Sequence, residues 1–192
     1  TLIGGAADLS PSTKTNLTFD GAGSFEPGDY GGRNMHFGVR EHAMGAIANG
    51  MTLTYLRGYT GTFLVFADYM RAPIRLAAIM ELPVVFVFTH DSIGVGEDGP
   101  THQPIEHLAT LRAIPGLDTI RPGDGNEAAV AWQVAIRQTD RPTALILSRQ
   151  AIPTIDREKY AGADGLERGG YILADAAAGD PELILIGTGS EL

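Results

Sequence analysis

Short apolar runs alternate with segments of helical period along most of this chain. LIGG (2–5) predicts a strand, followed by a Gly/Ser/Asn/Pro-rich loop through about residue 33. NMHFGV (34–39) predicts a second strand. In EHAMGAIANGMTLTYL (41–56), Met44, Ile47, Ala48, Met51 and Leu56 recur at the spacing of one helix face. YTGTF (59–63) predicts a strand that leads into a helix at about 64–80. PVVFVFT (83–89) is β-branched and aromatic and apolar on both faces, as a buried parallel strand requires. LDTIRP (117–122) and PTALILS (142–148) predict two more strands. Between them GNEAAVAWQVAIRQ (125–138) predicts a helix with Asn126 as its N-cap.

Strand–helix alternation of this kind predicts an α/β fold, a parallel sheet with helices on both faces, over residues 1–150. From 151 to 168 the chain is rich in Pro, Gly and charge and is expected to be a linker. GGYILAD and ELILIGTGSEL then predict a new strand pair, the start of a truncated second α/β domain over 169–192. The chain begins at Thr1 and stops directly after a strand-like run, so an excerpt of a longer polypeptide is expected.

Composition narrows the classes of function. Net charge is −9, from 14 Lys+Arg against 23 Asp+Glu, with no basic cluster, so nucleic acid and anionic membranes are not the expected partners. There is no Cys, which excludes a disulfide scaffold and thiolate metal sites. No stretch approaches ~18 uninterrupted apolar residues, as a bilayer span would need. A cytoplasmic location is expected.

The stretch DSIGVGEDGPTHQP (91–104) follows the buried strand and contains a formal G-x-G-x-x-G at Gly94, Gly96 and Gly99. In a dinucleotide fold the third glycine opens a helix whose bare N–H groups face pyrophosphate. Here Glu97 and Asp98 would repel a phosphate, and Pro100 and Pro104 stop a helix from running on. Asp118, at the distance of a ribose-binding acid, does not rescue the match. The glycines are expected instead to present Asp98 and His102 above the end of a buried strand. A plain surface loop is the simpler alternative.

Other polar groups fall on the same sheet edge. Glu41 follows strand 34–39, His90 follows 83–89, Arg149 follows 142–148, and Ser12 lies in the loop after 2–5. Each has an ordinary explanation, such as a helix-dipole partner for Glu41 or a solvated Arg149. Phe63, Phe66 and Tyr69 share one helical side and fit either a core stripe or a ligand slot. His36, His42, His90, His102 and His107 show no H-E-x-x-H spacing, so no metal ligand is expected in this chain. Taken together, the strand ends point to a site.

ADLSPS (7–12), HFGVREHAMGAIANG (36–50), GTFLVFADYMRAPIRLAA (61–78), THDSIGVGEDGPTHQPIEHLATLRAIPGL (89–117), RPGDGNE (121–127) and SRQ (148–150) together resemble transketolase. The resemblance runs nearly continuously over residues 1–150. It implies a thiamin-diphosphate-binding domain of the pyrimidine-binding type, with GGYILAD and TGSEL resembling the start of the family's C-terminal domain. It also implies transfer of a two-carbon ketol unit from a ketose phosphate to an aldose phosphate. Glu41 matches the catalytic glutamate that hydrogen-bonds the aminopyrimidine N1′. Phe63, Phe66 and Tyr69, with Asp8 and Leu9, match the pocket that holds the cofactor. Ser12, His90 and Arg149 match residues that bind the sugar phosphate. Asp98 matches a residue bonded to a substrate hydroxyl, and His102 a catalytic histidine that lines the substrate channel.

Ligands for Mg²⁺ or Ca²⁺ are expected on a diphosphate-binding domain outside this chain, and a homodimer sharing its active sites is implied. The fragment alone is expected to be inactive. A dihydroxyacetone synthase acting on formaldehyde, or a non-catalytic stand-alone domain, remain as alternatives.

Overall fold

The computed structural model describes residues 1–192. Strands β1 (Leu2–Ala6), β2 (Asn34–His36), β3 (Arg57–Phe63), β4 (Val85–Thr89), β5 (Asp118–Ile120) and β6 (Thr143–Ile146) form one sheet. They lie in the order β2-β1-β3-β4-β6-β5, every pair parallel. The expected α/β class and parallel sheet are therefore present. Connecting helices are α1 (Ser10–Thr13), α2 (Glu41–Leu53), α3 (Ala67–Ile79), α4 (His107–Arg112) and α5 (Gly125–Arg137).

Alternation along β4 explains why both faces of the sheet are covered. Phe86 and Phe88 enter a core with Met44 and Ala48 of α2, Met70, Ile74 and Ala77 of α3, and Leu111 of α4. Val85 and Val87 point the other way, onto Ala131 and Ala135 of α5. A strand buried on both sides must be apolar at every position, and each large side chain it buries contributes about 1.5–3 kcal/mol. The glycines of β1 serve close packing. A Cβ at Gly4 would lie 1.9 Å from the Tyr59 carbonyl oxygen, and one at Gly5 1.9 Å from that of Met35. The Tyr59 hydroxyl donates to Thr15 O at 2.9 Å, tying the loop after α1 beneath the sheet. Burial pushes that phenol up to about 12.

Two expectations need correction, and two features were not anticipated. Asp124, not Asn126, caps α5: its backbone is extended and its Oδ1 accepts from Glu127 N–H at 2.8 Å. Asn126 lies inside the first turn with its side chain exposed and makes no capping bond. The helix α4 was not expected at all. The glycine-rich loop after β4 contains short turns that were also not expected: Ile93–Asp98 forms two 3₁₀ turns across a kink at Gly96 (φ 72°), and Pro100–His102 forms another. Residues 171–175 and 182–188 form no strand. Leu183 to Ile186 are 74–91 % exposed and find no ladder partner here, and apolar β-branched sequence alone does not make a strand.

The segment 151–168 is pinned to the domain. Ile155 N–H and Arg157 Nη2 both donate to the buried Asp124, at 3.0 and 2.9 Å, and Ala163–Arg168 packs on α5. Burial alone would raise the Asp124 carboxyl, but the two N–H groups and the guanidinium outweigh it and hold it below the usual range. No helix is long and apolar enough to cross a membrane.

Candidate functional site

The strand order reverses between β1 and β3: β2 lies outward from β1, while β4, β6 and β5 extend from β3. In open parallel sheets a crevice forms at this switch point, beyond the carboxyl ends of the strands. A cleft of about 590 Å³ sits there. Its lining is Ala7, Asp8 and Leu9 after β1, Val39 and Glu41 after β2, and Phe63, Phe66, Tyr69 and His102. Six of the sequence-expected residues for a cofactor thus share one cavity with His102.

Glu41 is the first residue of α2 and is 7 % exposed. That position favours a negative charge, because the first N–H groups of a helix lack internal partners. Its carboxyl has no hydrogen-bond or salt-bridge partner within the chain and faces the cleft. Phe63 and Phe66 stack at 6.1 Å with 12° between their planes, and Tyr69 follows at 6.1 Å and 32°. They form a flat apolar wall, set by the 3₁₀ turn Leu64–Phe66 that leads into α3. Tyr69 is 65 % exposed, which a core stripe would not be.

A second group adjoins the first across Phe63. The His90 ring stacks on Phe63 at 3.7 Å, and Thr89 Oγ1 shares a hydrogen bond of 2.9 Å with its Nδ1. Its Nε2 lies 3.9 Å from Asp98 Oδ2. His102 packs edge-on to Phe66 at 5.4 Å. Arg149 pairs with Glu97 at 2.9 Å on the surface, and Ser12 lies exposed on α1. The structure therefore brings His90, Asp98 and His102 together beside the cleft, with Arg149 one residue away through Glu97. Ser12 makes none of these contacts.

His90 and Asp8 both have left-handed backbones (φ 60° and 58°). Such conformations cost of order 1–3 kcal/mol and persist where the surroundings fix them. The residue next to His90 is anchored by an ion pair that sequence reasoning missed. Asp91 is buried, and Arg121 Nε donates to its Oδ2 at 2.7 Å. The Arg121 guanidinium also donates to Thr188 O at 3.0 Å and pairs with Glu191. Asp91 directly follows His90 in sequence, but nothing in the pattern joined it to Arg121, thirty residues on.

Burial lowers the His90 pKa from 6.5, and the field of Asp98 only partly offsets this. The folded state therefore prefers the neutral ring. Below about pH 6.5 the unfolded chain binds the proton more readily, so stability is full above that value and declines as pH falls. The thermal midpoint of the wild type should drop more steeply from pH 6.5 to 5.5 than that of His90→Gln. Parallel curves for the two proteins would exclude a neutral, desolvated His90.

Residues 1–154 match the family model for the transketolase pyrimidine-binding domain. The chain belongs to that family. It is similar to the transketolases of Geobacillus stearothermophilus (55 % identity over 192 residues) and Bacillus subtilis strain 168 (56 % over 191). These alignments cover 100 % and 99 % of this chain, which spans 28 % of the length of either transketolase. A crystal structure of Pichia stipitis transketolase in complex with sedoheptulose 7-phosphate superimposes with a TM-score of 0.84 at 46 % identity. It covers 91 % of this chain and 26 % of that one. A split-gene transketolase, described as an inactive β4 tetramer, has a TM-score of 0.61 at 27 % identity, covering 80 % of this chain and 47 % of its own.

Proposed function

We propose that this chain supplies the aminopyrimidine-binding half of a thiamin-diphosphate-dependent transketolase active site. The reaction would move a two-carbon ketol unit from a ketose phosphate to an aldose phosphate. One observation carries the reading: a buried carboxyl without a protein partner, Glu41, faces an aromatic-walled cleft at the sheet's switch point.

The residues present fit the cofactor. Phe63, Phe66 and Tyr69 offer a ring-sized flat wall, and Glu41 offers the single directed polar group that a ring nitrogen needs. Bound thiamin diphosphate would supply the carbanion chemistry, while the protein supplies orientation and electrostatics. Glu41 would hold a hydrogen bond to N1′ of the aminopyrimidine, in a low-dielectric cleft where such a contact is strengthened. Asp8 and Leu9 would close the slot from β1.

His90, Asp98 and His102 would line the sugar path, with Asp98 accepting from a substrate hydroxyl and His102 donating to, or accepting from, the reacting oxygens. Arg149 would swing from Glu97 to the substrate phosphate, because an exposed ion pair is worth only about 0–1 kcal/mol and is readily exchanged. Ser12 would add a hydrogen bond to the same phosphate.

Residues 1–150 would form the pyrimidine-binding domain, 151–168 the strap that leaves it, and 169–192 the start of a C-terminal domain. The diphosphate-binding domain, with the ligands for Mg²⁺ or Ca²⁺, would come from elsewhere, and the working unit would be a cytoplasmic homodimer with shared active sites. The chain alone would be inactive.

The assembled enzyme, this chain together with a diphosphate-binding domain, should convert xylulose 5-phosphate and ribose 5-phosphate to a seven-carbon ketose phosphate and a triose phosphate. Absence of that product with thiamin diphosphate and Mg²⁺ present would exclude the reading. Arg149→Ala should raise KM for the phosphorylated donor by roughly tenfold, as expected for one lost charge-assisted hydrogen bond. It should leave KM for unphosphorylated hydroxypyruvate unchanged. An equal rise for both donors would remove Arg149 from the phosphate.

A further inference from the structure

No pair of histidines in the sequence has the spacing of a metal motif, but the fold assembles three candidate ligands from two segments. Asp68 lies in the first turn of α3, and Glu106 and His107 open α4. One ligand atom from each falls within 4.8 Å of the others. We propose that Asp68, Glu106 and His107 form a binding site for a divalent transition-metal ion, with zinc the best match.

The state of His107 is the reason. The residue is 4 % exposed, yet both of its ring nitrogens are buried without a hydrogen-bond partner. Leaving such a group unsatisfied costs about 1–3 kcal/mol. Its Nε2 lies 3.3 Å from Asp68 Oδ2, and its Nδ1 3.9 Å from Glu106 Oε2. A protonated imidazolium held between two carboxylates would direct an N–H along each of these lines, and neither is so aligned. A shared ion explains the first distance better. Ligands at 2.0–2.2 Å from a tetrahedral zinc stand about 3.4 Å apart, close to the Nε2–Oδ2 separation.

Donor chemistry agrees. One imidazole with two carboxylates suits zinc and its first-row neighbours, whereas calcium and magnesium prefer oxygen alone. One ion can take only one nitrogen of the ring, so the exposed side chain of Glu106, 65 % accessible, would have to turn from the Nδ1 side to join Asp68 at Nε2, with water completing the set. The buried ring provides a fixed anchor and the two acids an open entrance.

The site would act as a tie. Asp68 sits between Phe66 and Tyr69, and Glu106 and His107 end the segment that carries His102. A metal ion here would fasten the aromatic wall of the cleft to the substrate loop. Binding would stabilise the folded chain in proportion to ion concentration.

The test is Co²⁺ absorption on the untagged assembled enzyme, with excess Mg²⁺ present to fill oxygen-only sites. One equivalent of Co²⁺ should give visible d–d bands that Zn²⁺ abolishes. His107→Gln should lose the bands, and Asp68→Asn should require at least tenfold more Co²⁺, while turnover under saturating Mg²⁺ stays within about twofold of wild type. Should His107→Gln fail to fold, Asp68→Asn, changed at an exposed position, decides. Absence of bands in the wild type, or unchanged Co²⁺ titrations in the variants that fold, overturns the proposal.

Discussion

Replacing Glu41 by Gln in the assembled enzyme is expected to lower kcat by roughly 10²- to 10⁴-fold, the range lost when a positioned acid–base group is removed. Glutamine keeps the volume of the side chain and can still donate an N–H to a ring nitrogen. It cannot hold or share a proton as a carboxyl does. Cofactor affinity, measured calorimetrically, should therefore fall by less than about tenfold, and the thermal midpoint should hardly move. Glu41→Ala should show the same loss of turnover with a larger loss of affinity, because the polar contact disappears. The side chain has no partner within the chain, so its removal breaks no native hydrogen bond. Wild-type turnover in either variant would remove Glu41 from the reaction. A collapse of stability in Glu41→Gln would make it a structural residue instead.

Arg121→Met should destabilise the fold by about 3–5 kcal/mol, the usual cost of leaving one member of a buried ion pair alone. The Arg121 side chain is 6 % exposed and that of Asp91 1 %, so neither charge can recover water where it stands. For a chain of this size the thermal midpoint would fall by roughly 6–20 °C. The double variant Asp91→Asn, Arg121→Met should be more stable than the sum of the single changes predicts, because the orphaned charge is gone. Strict additivity would show that the pair is not coupled. His90 follows Phe63 in the site and precedes Asp91 in the chain, so variants that survive should also lose donor affinity.

The sheet was legible because β4 must be apolar at both of its faces, a pattern that helices at a sheet surface do not share. The strand ends were legible for a related reason: Glu41, His90 and Arg149 each stand just past an apolar run, where a parallel sheet presents its ligands. Pairings across long separations were not. Asp91 with Arg121, Glu97 with Arg149, and Asp68 with His107 depend on which strands and helices become neighbours, and local pattern carries no record of that. The α5 cap was misplaced by two residues because Asp124, Gly125 and Asn126 are all plausible caps by type. Only the side-chain geometry separates them. The short helix α4 offers just Leu108 and Leu111 to a periodicity argument, too few to distinguish it from a loop. The apolar residues of 182–188 read as strand because composition reports a tendency and not the presence of a neighbour to bond with.

The contact of Phe63 with His90, face to face at 3.7 Å, has a practical consequence for redesign. On the function proposed above, one ring would close the vitamin's seat and the other the sugar's path, so the two compartments would share a partition. Widening the path for bulkier or uncharged sugars by trimming His90 would take away the backing of Phe63 and loosen the grip on the coenzyme. Donor scope and coenzyme retention would then be linked at this pair, and a change at one ring would call for a matching change at the other.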